Sequence, residues 1–117
     1  MSDIRLISTD DLEQRLEKEA NLVFWNVLTD DYFDGELIEG SRHVPLDTVE
    51  QEVVNLNLPE AAEIILYCAG PSCPQSREAG KTLKARGYLN VSVYEGGLEA
   101  WKREGNPVQQ AKSATSK

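Results

Sequence analysis

Short apolar runs alternate along this chain with segments of helical periodicity, and this alternation constrains the fold more than any other feature. The runs "NLVFWNV" (residues 21–27) and "EIILYC" (63–68) are apolar along most of their length, which is typical of strands buried on both faces. Residues 8–20 and 76–87 repeat apolar side chains at helical spacing instead. The alternation predicts an α/β domain with a mostly parallel sheet, and 117 residues suffice for one such domain.

The remaining segments complete the predicted order of elements. The last residues, "QQAKSATSK", lack side chains large and apolar enough to pack, so we predict one domain over residues 1–108 and a disordered tail over 109–117. Within the domain we predict short strands at 5–7 and 41–47, an acidic loop with at most one helical turn at 28–40, a helix at 48–59, the last strand at 90–97 and the last helix at 98–105.

The charge balance limits the partners of this chain. Twelve basic and twenty acidic residues give a net charge of −8, which repels phosphate backbones and anionic membrane surfaces. We therefore expect neither nucleic acid nor a membrane as partner. The first residues carry no basic and apolar signal pattern, so we expect a cytoplasmic protein. In a reducing compartment, two cysteines favour catalysis, redox chemistry or metal binding over a structural disulfide.

Both cysteines lie in "YCAGPSCPQS", residues 67–76. Cys68 ends the predicted central strand, at the edge of the sheet where α/β proteins bind their ligands. A helix is predicted to begin at residues 72–74. Either Ser72 caps it and Gln75 reaches back, or Cys73 caps it and Pro74 takes the first helical position.

The loop after Cys68 is predicted to surround its sulfur with backbone amides. The N–H groups of Ala69, Gly70, Ser72 and Cys73 would then hold a thiolate and lower the pKa of Cys68. Pro71 has no N–H group and would shape the loop instead.

Structural interpretations of the same residues stay open at this stage. Cys68 can be a packing residue at a strand end. Cys73 can be a packing residue, a cap, a resolving thiol or a second nucleophile. His43, the only histidine, is interpreted as a structural residue with one hydrogen bond. One histidine and two cysteines without Cys-x-x-Cys spacing predict no metal site.

The order of motifs resembles a single rhodanese-like domain over residues 6–108. The motifs are "HVPL", a strand ending in "YC", a helix ending in "GY", and "NVSVYEGGLEAWKREGNPV". The resemblance implies a central five-stranded parallel sheet with helices on both faces and a nucleophilic cysteine after the fourth strand, at Cys68. It also implies a sulfurtransferase in which this cysteine carries sulfane sulfur as a persulfide. The sulfur would come from a small donor or a protein persulfide and pass to cyanide or a thiol, without metal or organic cofactor.

The chain departs from the common pattern of that family around the cysteine. Its loop is uncharged and two residues longer than usual, and Leu28 stands where the family often has arginine. We therefore expect thiosulfate to be a poor donor, with Arg77 and Arg42 as possible substrate-binding residues. Two alternatives are a dithiol redox protein that uses Cys68 and Cys73, and a non-catalytic binding module.

Overall fold

The computed structural model describes residues 4–18 and 22–110 of the chain. Parts of three predicted segments lie outside these residues: 19–20 of the first helix, 21 of the second strand and 111–117 of the C-terminal tail. The strands are β1 (Arg5–Leu6), β2 (Val23–Asn26), β3 (Glu36–Ile38), β4 (Arg42–His43), β5 (Ile64–Tyr67), β6 (Val91–Tyr94) and β7 (Val108–Gln110). The helices are α1 (Thr9–Lys18), α2 (Val49–Asn55), α3 (Gln75–Ala85) and α4 (Gly97–Arg103), with a 3-10 turn at Leu46–Thr48.

Five strands form one parallel sheet in the order β1-β6-β5-β2-β4. The apolar run predicted as a buried strand is β5, and all four of its residues are buried between β6 and β2. Its last residue, Tyr67, pairs with Asn26 on one side and Tyr94 on the other. The carboxyl ends of the three central strands are therefore level, so the residues that follow them emerge at one edge of the sheet.

Helices cover both faces of this sheet, which confirms the predicted fold class. Side chains alternate along β5, so Ile64 and Leu66 face one core while Ile65 and Tyr67 face the other. The first core is completed by α2 and α3, and the second by α1 and α4. The first contains Trp25, Val27, Val49, Val53, Ala79 and Leu83, and the second contains Leu12, Phe24, Ile38, Leu98 and Trp101.

The acidic segment predicted as a loop contains a strand, and this part of the prediction is wrong. Glu36–Ile38 pairs antiparallel with Val108–Gln110 in a separate two-stranded sheet. The strand predicted to be the last, at 90–97, is therefore followed by β7, which extends two residues past the predicted domain end. Leu37 and Ile38 are buried, whereas Gln109 and Gln110 are exposed, so neither strand has the alternation that marks a strand in sequence.

Candidate active site

Cys68 directly follows the central strand β5, at the carboxyl edge of the sheet. Its strand is the fourth of the five parallel strands in chain order, as the resemblance implies. The residue is only 1% exposed. Its position is therefore that of the expected nucleophile, but its side chain is covered.

Two oxygen acceptors face the Cys68 thiol. Its sulfur lies 3.4 Å from the carbonyl oxygen of Cys73 and 3.5 Å from Oγ of Ser76, which is also buried. Burial raises the pKa of the Cys68 thiol, and the neighbouring Cys73 side chain raises it further. The hydroxyl and the backbone N–H of Ser76 lower it, but they do not outweigh burial. The predicted lowering of the pKa is wrong because burial of the thiol outweighs the two Ser76 groups that lower it.

A tight turn shapes the loop between the cysteines. The N–H of Cys73 donates to the carbonyl oxygen of Gly70 at 3.0 Å, which places Pro71 at the second position of a four-residue turn, where its fixed φ is favoured. One of the four predicted amide donors is therefore used within the loop itself. The contribution of the Ala69, Gly70 and Ser72 amides to a thiolate stays a prediction.

Both predicted caps of α3 are wrong. The helix begins at Gln75, Pro74 occupies the preceding position, and no side chain caps it. The Gln75 side chain binds Thr29 instead: its Oε1 accepts from the Thr29 N–H and its Nε2 donates to Thr29 Oγ1, each at 3.1 Å. This pair of bonds ties the end of the loop to the segment that follows β2.

The first turn of α4 holds the beginning of the loop, a feature that the sequence reasoning missed. The N–H groups of Leu98 and Glu99 donate to the carbonyl oxygens of Cys68 and Ala69, at 3.1 and 2.8 Å. Gly97 has φ +60°, and a Cβ there would lie 2.3 Å from the Cys68 carbonyl oxygen. Only glycine allows this approach, and the two glycines that end the last predicted strand were the signal for it.

A cavity of about 390 Å³ opens beside the loop, and no charged side chain lines it. Cys73 is half-buried on its wall, whereas Cys68 is not among its lining residues. The lining residues are Leu28, Tyr32, Ala69, Ser72, Cys73, Pro74 and Gln75.

A second cavity of about 330 Å³ shares Leu28, Tyr32 and Ala69 with the first, and it is acidic. Its other lining residues are Asp34, Glu36, Leu98, Glu99 and Lys102, and the Lys102 ammonium donates to Glu36 at 2.7 Å. The approach to the loop is therefore neutral on one side and net negative on the other.

The two candidate substrate-binding arginines line neither cavity. Arg42 forms an ion pair with Glu52 at 2.7 Å, and Arg77 forms one with Glu95. Each guanidinium is therefore engaged by a carboxylate outside the cavity walls. The structural interpretation of His43 is confirmed: its Nε2 binds the Leu28 carbonyl oxygen at 2.7 Å.

Two absences hold for the described part of the chain. Over 4–18 and 22–110, no group of three or more histidine, cysteine, aspartate or glutamate side chains is arranged to hold a metal ion. Within the same ranges, every helix is too short or too polar to cross a membrane.

The family model for the rhodanese-like domain matches residues 8–104. The chain belongs to the rhodanese-like family. The thiosulfate:glutathione sulfurtransferase of Saccharomyces cerevisiae is 29% identical over an alignment of 117 positions, which spans 90% of this chain and 83% of the yeast protein. The similarity of this chain to a sulfurtransferase is therefore at the level of the family.

Solved structures agree with the fold. The rhodanese-like domain of the Alr3790 protein from Anabaena sp. is 25% identical, with a TM-score of 0.78 over 99% of this chain and 86% of that one. A thiosulfate sulfurtransferase from Pseudomonas aeruginosa is 20% identical, with a TM-score of 0.79 over 93% of this chain and 21% of that one. The second likeness concerns the fold alone.

Proposed function

We propose that this rhodanese-like domain is a sulfurtransferase that carries sulfane sulfur as a persulfide on Cys68 and passes it to a thiol or to cyanide. The observation that carries the proposal is the place of Cys68, directly after the central strand and before a loop that lines a cavity, in a chain of this family. A cysteine buried for packing alone would not need a loop fixed at both ends, by α4 and by the Gln75–Thr29 bonds.

The reaction begins with loss of the Cys68 proton. The resting thiol is neutral because burial raises its pKa, and Ser76 is the group that stabilises the thiolate through its hydroxyl and N–H. The thiolate attacks the sulfane sulfur of the donor, forms the new S–S bond and displaces the remainder of the donor as an anion. In the second step an acceptor nucleophile attacks the outer sulfur, and Cys68 leaves as the thiolate.

The charge around the loop favours a donor that is less charged than thiosulfate. The larger cavity offers no cation to a dianion, and in the second cavity the only cation, Lys102, is bound to Glu36. We propose a small persulfide as the donor. The net charge of −8 argues against nucleic acid or an anionic membrane as partner. Two free thiols suit the reducing cytoplasm, where we place the protein.

A second candidate function is a non-catalytic binding module. It is favoured by the burial of Cys68 and by the raised pKa of its thiol, because a buried neutral thiol is a poor nucleophile.

Turnover of a small alkyl persulfide with cyanide separates the two functions. The sulfurtransferase forms thiocyanate with many turnovers, and Cys68→Ser forms none while its thermal unfolding matches the wild type. Absence of turnover in the wild-type protein with persulfide and with thiosulfate would leave the binding module as the function.

A further inference from the structure

We propose that Cys73 hands sulfur to large thiol acceptors: it takes the outer sulfur of the Cys68 persulfide and presents it in the cavity as its own persulfide. This inference rests on the proposed sulfurtransferase function and assigns a second sulfur-carrying residue to it. The acceptor class is a cysteine thiol on another folded protein.

Cys73 is more accessible to a large acceptor than Cys68 is. Cys68 is 1% exposed and is absent from the cavity wall, whereas Cys73 is half-buried on that wall. A small nucleophile such as cyanide can penetrate toward the buried sulfur. A thiol attached to a folded protein is held at the cavity mouth, where Cys73 is the sulfur it meets.

Cys68 and Cys73 are in contact. The Cys68 sulfur lies 3.4 Å from the Cys73 carbonyl oxygen, so the backbone of Cys73 adjoins the reacting atom. The Gly70–Cys73 turn fixes one side of Cys73, and the Gln75–Thr29 bonds fix the chain two residues later. The backbone of Cys73 is therefore held beside Cys68, and the Cys73 side chain is near enough to act on the Cys68 thiol.

The transfer balances without an oxidant. The Cys73 sulfur, as thiolate, attacks the outer sulfur of the Cys68 persulfide and forms a new S–S bond. The bond between that outer sulfur and Cys68 Sγ breaks, and Cys68 leaves as a thiolate that takes up the proton released by Cys73. One sulfane sulfur thereby passes from Cys68 to Cys73. The acceptor thiol then attacks the outer sulfur of the Cys73 persulfide.

The test compares two acceptors on protein that was loaded with a small alkyl persulfide and freed of excess donor. One acceptor is cyanide and the other is a folded protein with a single exposed cysteine. In Cys73→Ser and Cys73→Ala, we expect the ratio of protein-thiol transfer to cyanide transfer to fall about tenfold or more. The control Ala85→Ser, which adds the same serine at the exposed end of α3, keeps the wild-type ratio. Peptide mapping of the loaded wild type should find persulfide on both cysteines.

Three results would overturn the handover. An unchanged ratio in both Cys73 variants, with persulfide only on Cys68, means that Cys68 delivers sulfur directly. Release of sulfide that leaves a protein about 2 Da lighter than the unloaded one means that Cys73 attacks the inner sulfur and closes a disulfide instead. Loading of Cys68→Ser at the wild-type rate means that the proposed function of Cys68 is itself wrong. This last result is read from a different variant, so the two failures are distinguishable.

Discussion

Gly97→Ala should destabilise the domain because the first turn of α4 rests directly on the backbone after Cys68. The added Cβ would lie 2.3 Å from the Cys68 carbonyl oxygen and 2.8 Å from both the Ala69 carbonyl carbon and the Gly70 nitrogen. All three contacts are with backbone, so α4 and the loop must separate. We expect this overpacking to cost about 1–3 kcal/mol. Alanine at φ +60° adds about 1–2 kcal/mol, so the free energy of unfolding should fall by about 2–5 kcal/mol.

Urea unfolding of Gly97→Ala and Gly105→Ala separates the clash from the backbone strain. Gly105 has φ +81°, but no atom lies within 4 Å of its added Cβ, so its substitution reports the strain alone. Gly97→Ala should lose clearly more stability than Gly105→Ala, at an unchanged dependence on urea. Equal losses in the two variants would refute the close contact between α4 and the Cys68 loop.

Three further predictions concern the thiol and the buried hydroxyl groups. Ser76→Ala removes a hydroxyl that lowers the pKa of Cys68. In a Cys73→Ser background, alkylation of Cys68 should therefore slow by up to about tenfold at pH 7. A rate and pH profile equal to those of Cys73→Ser alone would contradict this prediction. Tyr67→Phe removes a hydroxyl oxygen that lies 2.8 Å from the buried Ile38 nitrogen and 2.7 Å from Ser41 Oγ. Urea unfolding should therefore show that the free energy of unfolding falls by about 1–3 kcal/mol. Tyr88→Phe, which frees only the Leu58 carbonyl oxygen, is its milder control. Burial raises the pKa of Tyr67 and of Cys68 in the folded protein above the pKa of each group in the unfolded chain. The contribution of each group to stability is therefore fully present below its unfolded pKa, and it is lost as the pH rises through its folded pKa. The free energy of unfolding should therefore decline above about pH 9, and a constant value from pH 7 to 10.5 would contradict the assigned shifts.

The sheet and its helices were predictable because burial on both faces leaves a strong local pattern. The runs that became β2 and β5 are apolar along most of their length, and Leu12 of α1 and Ala79 and Leu83 of α3 are buried on the inner faces of their helices. The position of Cys68 at the carboxyl edge of the sheet followed from the same pattern. The resemblance to the rhodanese-like family added the five-strand count, which the structure confirms.

What the sequence did not predict depends on contacts between distant residues. β3 and β7 form only through pairing across some seventy residues, from Glu36–Ile38 to Val108–Gln110. Gln75 turned from a predicted cap into a partner of Thr29, which folding brings beside it. The direction of the Cys68 pKa shift depends on how completely α3, α4 and the loop cover the thiol, and no local motif encodes that burial.

The most direct test of the proposed function is the intact mass of the purified protein after incubation with a small alkyl persulfide, before and after reductant. We expect the wild type to gain about 32 Da that reductant removes, and we expect no such gain in Cys68→Ser. A wild-type protein that gains no mass, or a Cys68→Ser variant that gains it at the same rate, would contradict the assignment of Cys68 as the sulfur-carrying residue.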